Sequence, residues 1–272
     1  MATALKQFPT MITRAAKLFK PAFYQKELSQ IDQSAHSYTL DRADTLKRVG
    51  FVTLVACLSL FVIHYLKSGK VFIGFFSLFF DDFRAAYHSA YYAELGFYVW
   101  WTFWQVLGYI IIPLVALRLF YKEQHWYLGL QWSDTGKHAR YYLALTLPIL
   151  VFVLIASRSD SFSEHYPFYS DAKRSVLDFV AWEFLYILQF FALEFFFRGF
   201  IVQGLRPAIG ANAIWFMMLP YLMIHFPKLW PEAFGAIMFG FLLGLLALKS
   251  RSIWGGFLVH ISIALAMDVL AL

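Results

Sequence analysis

Long apolar runs, separated by short polar segments, dominate the sequence after residue 48. Each run is close to the ~20 residues that an α-helix needs to cross about 30 Å of hydrocarbon. A shorter run at 71–80 leads into Asp81 and Asp82 and predicts an interfacial or re-entrant segment. The pattern therefore predicts an all-α, polytopic membrane helix bundle with about seven (six to eight) transmembrane helices. The seven long runs lie at 49–66, 96–120, 141–157, 176–204, 211–226, 232–248 and 253–271.

Composition supports a membrane environment. Apolar residues make up 60% of the 272 residues and charged residues only 15%, whereas about a quarter of a soluble domain is charged. The single cysteine, Cys57, excludes an intrachain disulfide and a cysteine-based metal site. The net charge of +6 arises from Lys and Arg that flank the apolar runs, without a clustered basic stripe. We therefore expect the lipid bilayer, and no nucleic acid, as a partner.

The basic residues also predict an orientation. Of the 23 Lys and Arg, 15 fall on the side of the N-terminus if the chain crosses seven times, and 7 fall on the other side. By the positive-inside rule the N-terminus is cytoplasmic. Residues 1–48 then form a cytoplasmic, basic, amphipathic arm with a membrane-surface helix around Met11–Phe23. Residues 49–174 form N-terminal transmembrane helices, and residues 175–272 form the core that carries the ionisable groups.

Ionisable residues inside the apolar runs mark the candidate site, because each is costly in hydrocarbon unless it is paired or hydrated. The first half of the chain is nearly free of them. The asymmetry predicts a polar site built from the C-terminal helices. The residues concerned are Glu183, Glu194, Arg198, His225, Glu232, His260 and Asp268.

One carboxylate and two imidazoles among these residues, those of Glu194, His225 and His260, have the chemistry to activate a water molecule. Glu194 and Arg198 are four apart, so they share a helix face and can pair, although a self-neutralising structural pair is the simpler interpretation of these two alone. His260 lies well inside an apolar run, where an unpaired imidazole would be expensive. Counted at ~1.5 Å per residue from the cytoplasmic helix ends, Glu194, His225 and His260 can meet in one layer of the membrane.

The order of these motifs resembles that of the CPBP family. This family comprises type II CAAX prenyl endopeptidase-like, bacteriocin-processing and lysostaphin-resistance-protein-A-like membrane proteins. The resemblance covers about residues 175–272 and implies an intramembrane endopeptidase in a bacterial inner membrane, acting on a peptide or membrane-protein substrate. The motifs are Glu194-Phe-Phe-Phe-Arg198-Gly199, Tyr221-Leu-Met-Ile-His225, Phe241-Leu-Leu-Gly244 and His260.

The resemblance also implies roles for the site residues. Glu194 would be the base or orient it, His225 would hold the water, and His260 would donate to the oxyanion. Arg198 would be the structural partner of Glu194. Glu194, His225 and His260 are thus the expected catalytic residues.

Two positions depart from the family pattern. The first of two adjacent glutamates, generally the catalytic one, is Leu193 here, and the Asn or Asp four residues after the last histidine is Ala264. Glu232 and Asp268 are the candidates to replace the missing groups. The alternative function is therefore a catalytically impaired CPBP-fold protein that binds or regulates a partner. A small transporter would also explain intramembrane charges, but no internal repeat is visible.

A metal requirement stays open at the level of the sequence. Two histidines and one carboxylate meet the ligand count of a catalytic zinc site, and family names describe metalloproteases. The His-Glu-x-x-His spacing that places two ligands on one helix is lacking. The sequence therefore allows a divalent metal such as zinc without requiring one.

Overall fold

The computed structural model describes residues 21–35, 40–122, 126–132 and 134–272, and these consist of helices and turns without a β-strand. The predicted all-α class is confirmed. The predicted surface helix at 11–23 lies outside the described residues except for its last three positions. The main helices are α1 (Pro21–Ala35), α2 (Arg42–Leu66), α3 (Gly69–Phe76), α4 (Phe83–Ser89), α5 (Ala93–Phe120), α6 (Gly136–Ala156), α7 (Asp160–His165), α8 (Val176–Ile209), α9 (Asn212–Met223), α10 (Trp230–Ser250) and α11 (Trp254–Ala271).

Six of these helices are long and apolar enough to cross a membrane, namely α2, α5, α6, α8, α10 and α11. The protein is therefore an integral, multi-pass membrane protein. The predicted span at 211–226 is instead the 12-residue helix α9, about 18 Å long, which is too short to cross alone. Turns continue the chain from Ile224 to Lys228 before α10 begins.

Contacts between distant segments define two ends of the bundle. At the first, which we call the arm end, Nε of Arg48 donates to the carbonyl of Gly204 across 2.6 Å, and α1 lies against the last turns of α8 and α10. At the opposite end, which we call the loop end, the segment 157–175 lies beside the start of α10. Tyr98, near the start of α5, donates from its hydroxyl to Phe168 in the same segment.

The longest helix, α8, begins at a strongly bonded N-terminus. The Ser175 hydroxyl accepts from the backbone N–H of Asp178, and the Asp178 carboxylate accepts from Arg174 at 2.6 Å and from Tyr169 at 2.5 Å. A serine N-cap followed by a first-turn carboxylate satisfies free N–H groups and complements the helix dipole. This network fixes the loop end of the helix that carries Glu194.

Around its middle, α8 changes from α to π geometry. The π segment Phe195–Gln203 begins directly after Glu194, and every residue in it is buried. A second π segment, Leu107–Ile111 in α5, packs beside it, with the Tyr109 ring 5.0 Å from that of Phe196. π-helical turns are rare and often occur at functional sites.

The main apolar core surrounds this π segment. Phe196, Phe197 and Phe200 are completely buried against side chains from α2, α5 and α9. On the outside, large side chains such as Leu54 and Phe61 are exposed, which is expected where the surrounding solvent is lipid. The polar residues of α8 therefore lie inside the bundle.

Candidate active site

Glu194 and Arg198 form an ion pair inside the bundle. Nη1 of Arg198 lies 2.9 Å from Oε1 of Glu194, as their spacing predicts, and both side chains are completely buried. The Arg198 guanidinium also lies 4.2 Å from the centre of the Tyr221 ring. The carboxylate is therefore held by a cation that is itself packed on an aromatic face.

His260 lies between Glu194 and Tyr221. Its Nδ1 is 2.9 Å from Oε1 of Glu194, and its Nε2 is 3.1 Å from the Tyr221 hydroxyl. The imidazole stacks on Phe190, with ring centres 5.4 Å apart and planes 12° apart. Its side chain keeps 14% accessibility, whereas Glu194 has none. A small molecule that enters the site therefore meets the histidine before the glutamate.

His225 reaches the same tyrosine from the turn that follows α9. Its Nδ1 is 2.7 Å from the backbone carbonyl of Tyr221, and the two rings are 4.7 Å apart. Because a carbonyl only accepts hydrogen bonds, Nδ1 carries a hydrogen and Nε2 of the neutral ring is left as an acceptor. His225 is half-buried, so this acceptor is placed to receive a proton.

Gly256 allows the carboxylate to take its position. A Cβ on Gly256 would lie well under 3.0 Å from Oε2 of Glu194. Although the nitrogens of Arg198 and His260 are at ion-pair distance, the two Glu194 oxygens make no geometrically sound hydrogen bond to any described residue. Buried carboxylate oxygens are normally satisfied, so these oxygens can still accept from water. We call Glu194, Arg198, Tyr221, His225 and His260 the histidine site.

Asp268 lies elsewhere on the same helix pair. It is completely buried and accepts a 2.6 Å hydrogen bond from Nε1 of Trp182. Glu183, which is also buried, is a close neighbour of Asp268 and interacts with it electrostatically. No contact between Asp268 and either site histidine is present in the described part of the chain.

Glu232 contacts Tyr166 at the loop end. Its Oε1 accepts a short hydrogen bond from the Tyr166 hydroxyl, and burial together with the Glu232 charge raises the pKa of that hydroxyl. Nearby, burial lowers the pKa of Lys228 to about 8, and its ammonium lies 3.7 Å from the centre of the Phe168 ring. The described contacts do not bring Glu232 to His225 or His260.

The two departures from the family pattern are filled by apolar packing. Leu193 is buried in the main core, and Ala264 is buried beside Trp182 and Tyr186. Both positions therefore lie in apolar surroundings and lack the polar group of the family pattern.

The donor atoms do not fit a metal centre. Both ring nitrogens of His260 are within reach of protein groups, and Nδ1 of His225 is bound to a carbonyl. Across the described residues, no group of three or more His, Cys, Asp and Glu side chains is arranged to hold a metal ion. We therefore derive no step through a metal.

Tyr221, a member of the histidine site, and Gly256, which lies against Glu194, cannot be found from the pattern of charged residues. Tyr221 contacts three other members of the site, yet it is one of 16 tyrosines. Gly256 belongs to the Gly255-Gly256 pair at the start of α11, and adjacent glycines indicate close helix packing without naming the partner. The only early signal for Tyr221 is that it opens the motif ending in His225.

Comparisons with known proteins support the resemblance. The family model described as type II CAAX prenyl endopeptidase Rce1-like matches residues 175–266, the segment that holds the whole histidine site. Searches of curated proteins and of solved structures found no match. The C-terminal third of this membrane protein is therefore similar to the type II CAAX prenyl endopeptidases of the Rce1-like family.

Proposed function

We propose that the protein is an intramembrane endopeptidase that hydrolyses a peptide bond at the histidine site. The observation that carries the proposal is the set of contacts joining Glu194, His260, Tyr221 and His225 across three helices. A base, a donor and a buried counter-charge are the groups that water attack on a carbonyl requires.

In this mechanism His225 is the base. Its Nε2 accepts a proton from the attacking water and returns it to the leaving amine. The Tyr221 hydroxyl, which accepts a hydrogen bond from Nε2 of protonated His260, donates its own hydrogen to the carbonyl oxygen as it becomes negative. Glu194, which is buried behind His260, orients the imidazole through Nδ1, and Arg198 balances its charge.

Under this proposal Glu232 and Asp268 are supporting residues of the loop end and do not contact the reacting groups. The proposed substrate is a peptide or a membrane-protein segment that reaches the site within the bilayer. We further propose a bacterial inner-membrane location with a cytoplasmic N-terminus, which places the histidine site between a basic cytoplasmic arm and an outer loop.

The test is peptide mass spectrometry of host membranes. Wild type, Glu194→Gln, His225→Ala, His260→Ala and Glu232→Ala are compared with a deletion strain at matched membrane levels. His64→Ala is the control, because His64 has an exposed side chain on α2. One product that is missing in the deletion and in the three histidine-site variants, but present with Glu232→Ala and His64→Ala, supports the proposal.

A second function is favoured by one specific observation. The family's catalytic glutamate position is occupied by Leu193, which is packed in the apolar core. A protein of this fold that binds a membrane partner without cleaving it would need no base there. Wild-type peptide profiles for every folded histidine-site variant would favour this function and contradict the peptidase.

A further inference from the structure

A cavity lies at the arm end, apart from the histidine site. Its volume is about 190 Å³, and it is formed between α1 and the last turns of α8 and α10. Three of its lining side chains are cationic and one is anionic. The lining residues are Glu27, Gln30, Ile31, Ser34, Arg206, Leu248, Lys249 and Arg251.

The cations are held in place by neighbouring groups. Nζ of Lys249 forms an ion pair with Glu27, and Nη2 of Arg206 donates to the Ser34 hydroxyl at 2.9 Å. The Arg251 guanidinium lies 4.3 Å from the centre of the Tyr127 ring. Three of the four charged side chains in the lining are cationic, so the lining suits an anion.

The position of the cavity indicates where that anion comes from. Two spanning helices end here, so the cavity lies at the boundary between hydrocarbon and water. Aromatic side chains surround the same end, including Trp132 and Trp254, whose rings are 5.9 Å apart. Such residues are enriched at the level of lipid headgroups. Ile31 and Leu248 add apolar wall beside the cations.

We propose that this cavity binds the phosphate of an anionic phospholipid headgroup. Arg206 and Arg251 bind the phosphate oxygens, while the Lys249 ammonium interacts with both the lipid phosphate and the Glu27 carboxylate. Bound lipid then ties α1 to the ends of α8 and α10. The site needs no peptidase activity, so it stands whether or not the histidine site is catalytic.

The experiment measures thermal unfolding of the full-length protein in detergent as lipid is added. Phosphatidylglycerol should raise the midpoint, and phosphatidylcholine, which has no net charge, should raise it much less. Inorganic phosphate at the same concentration shows whether a free phosphate ion binds as well as the phosphate of a lipid headgroup. An equal shift with inorganic phosphate would show that a free ion suffices and would overturn the lipid assignment.

Charge variants test the location. Each cation near a lipid surface contributes roughly a fivefold change in affinity, so Arg206→Gln with Arg251→Gln should weaken phosphatidylglycerol binding by about 25-fold. Arg118→Gln is the matched control, because Arg118 is an exposed cation in the last turn of α5 and does not line the cavity. Equal lipid responses in the double variant and the control would overturn the site.

Glu27→Gln gives a prediction of opposite sign and covers the case in which the double variant fails to fold. Loss of the carboxylate frees Lys249 and raises the charge of the cavity. The response to phosphatidylglycerol should then become stronger, although the protein without lipid loses an ion pair. An unchanged or weaker lipid response in Glu27→Gln would contradict the proposal.

Discussion

Tyr221 contacts His260 through its hydroxyl and His225 through its backbone carbonyl. A substitution that removes only the hydroxyl therefore separates its role in catalysis from its role in packing. Tyr221→Phe removes the hydroxyl at Nε2 of His260 but keeps the ring under Arg198 and the carbonyl that binds His225. We expect about 10²- to 10³-fold less cleavage product, because a donor to the reacting oxygen is lost. The stability cost should be only about 1 kcal/mol. Peptide mass spectrometry and thermal unfolding measure the two effects.

Tyr98→Phe is the control for this substitution. The Tyr98 hydroxyl also makes a hydrogen bond, to the carbonyl of Phe168 at 2.5 Å, but it lies at the loop end. It should lose similar stability and keep full processing. Parallel losses of product and of folded protein in both variants would assign Tyr221 a structural role only.

Gly256 offers a second test at the scale of a single residue. In Gly256→Ala the new methyl group meets the Glu194 carboxylate and must displace it from His260. We expect a loss of about 1–3 kcal/mol in the free energy of unfolding, as for other overpacked sites. Gly235→Ala, in a helical position with open space around it, should instead be neutral or stabilising by up to about 1 kcal/mol. Thermal unfolding of both proteins checks the contrast, and equal midpoints would contradict it.

These residues show which parts of the site were predictable from the sequence. The Glu194–Arg198 pair follows from helix geometry, because a spacing of four places both on one face. The contact of His260 with Tyr221 depends on how α9 and α11 pack, and no local pattern encodes it. Glu232 and Asp268 were proposed as replacements from their position in the chain alone, and packing directs them to Tyr166 and Trp182 instead.

At the scale of elements, hydrogen bonds at the N-terminus of α8 stabilise the helix that carries Glu194. Asp178 is completely buried and accepts hydrogen bonds from Arg174, Tyr169 and Ser175. Asp178→Ala should cost about 3 kcal/mol or more, because buried donors lose their partner. Asp44→Ala, at an exposed pair with Lys47, should cost less than about 1 kcal/mol. Comparable losses in thermal unfolding would show that the network contributes little.

The helix boundaries explain where the hydropathy pattern succeeded and where it did not. Runs at 49–66, 96–120 and 176–204 became long helices, because uninterrupted apolar sequence in lipid must satisfy its backbone internally. The run at 211–226 is equally apolar, yet its helix stops at Met223. The turn that follows brings Nδ1 of His225 back to the carbonyl of Tyr221. Hydropathy records the apolar character of these residues but not the turn that the site requires.

At the scale of the whole molecule, the proposed orientation can be tested with cysteine labelling. Cys57 is the only cysteine, so a Cys57→Ala background allows single thiols to be introduced. Ser161→Cys lies in the exposed segment at the loop end, and Lys47→Cys lies at the arm end, where the Lys47 side chain is 71% exposed. A membrane-impermeant maleimide should label Ser161→Cys in intact cells, and Lys47→Cys only after permeabilisation.

The background variant should stay unlabelled in both conditions, which excludes reaction elsewhere. The reverse pattern would place the arm end outside and contradict the orientation that the 15 basic residues on that side predict. It would also move the proposed phospholipid site to the outer leaflet, while leaving the contacts of the histidine site unchanged. Labelling of the two positions from the same side would contradict the arrangement of the spans itself, because the start of α2 lies at the arm end and the end of α6 leads into the loop end.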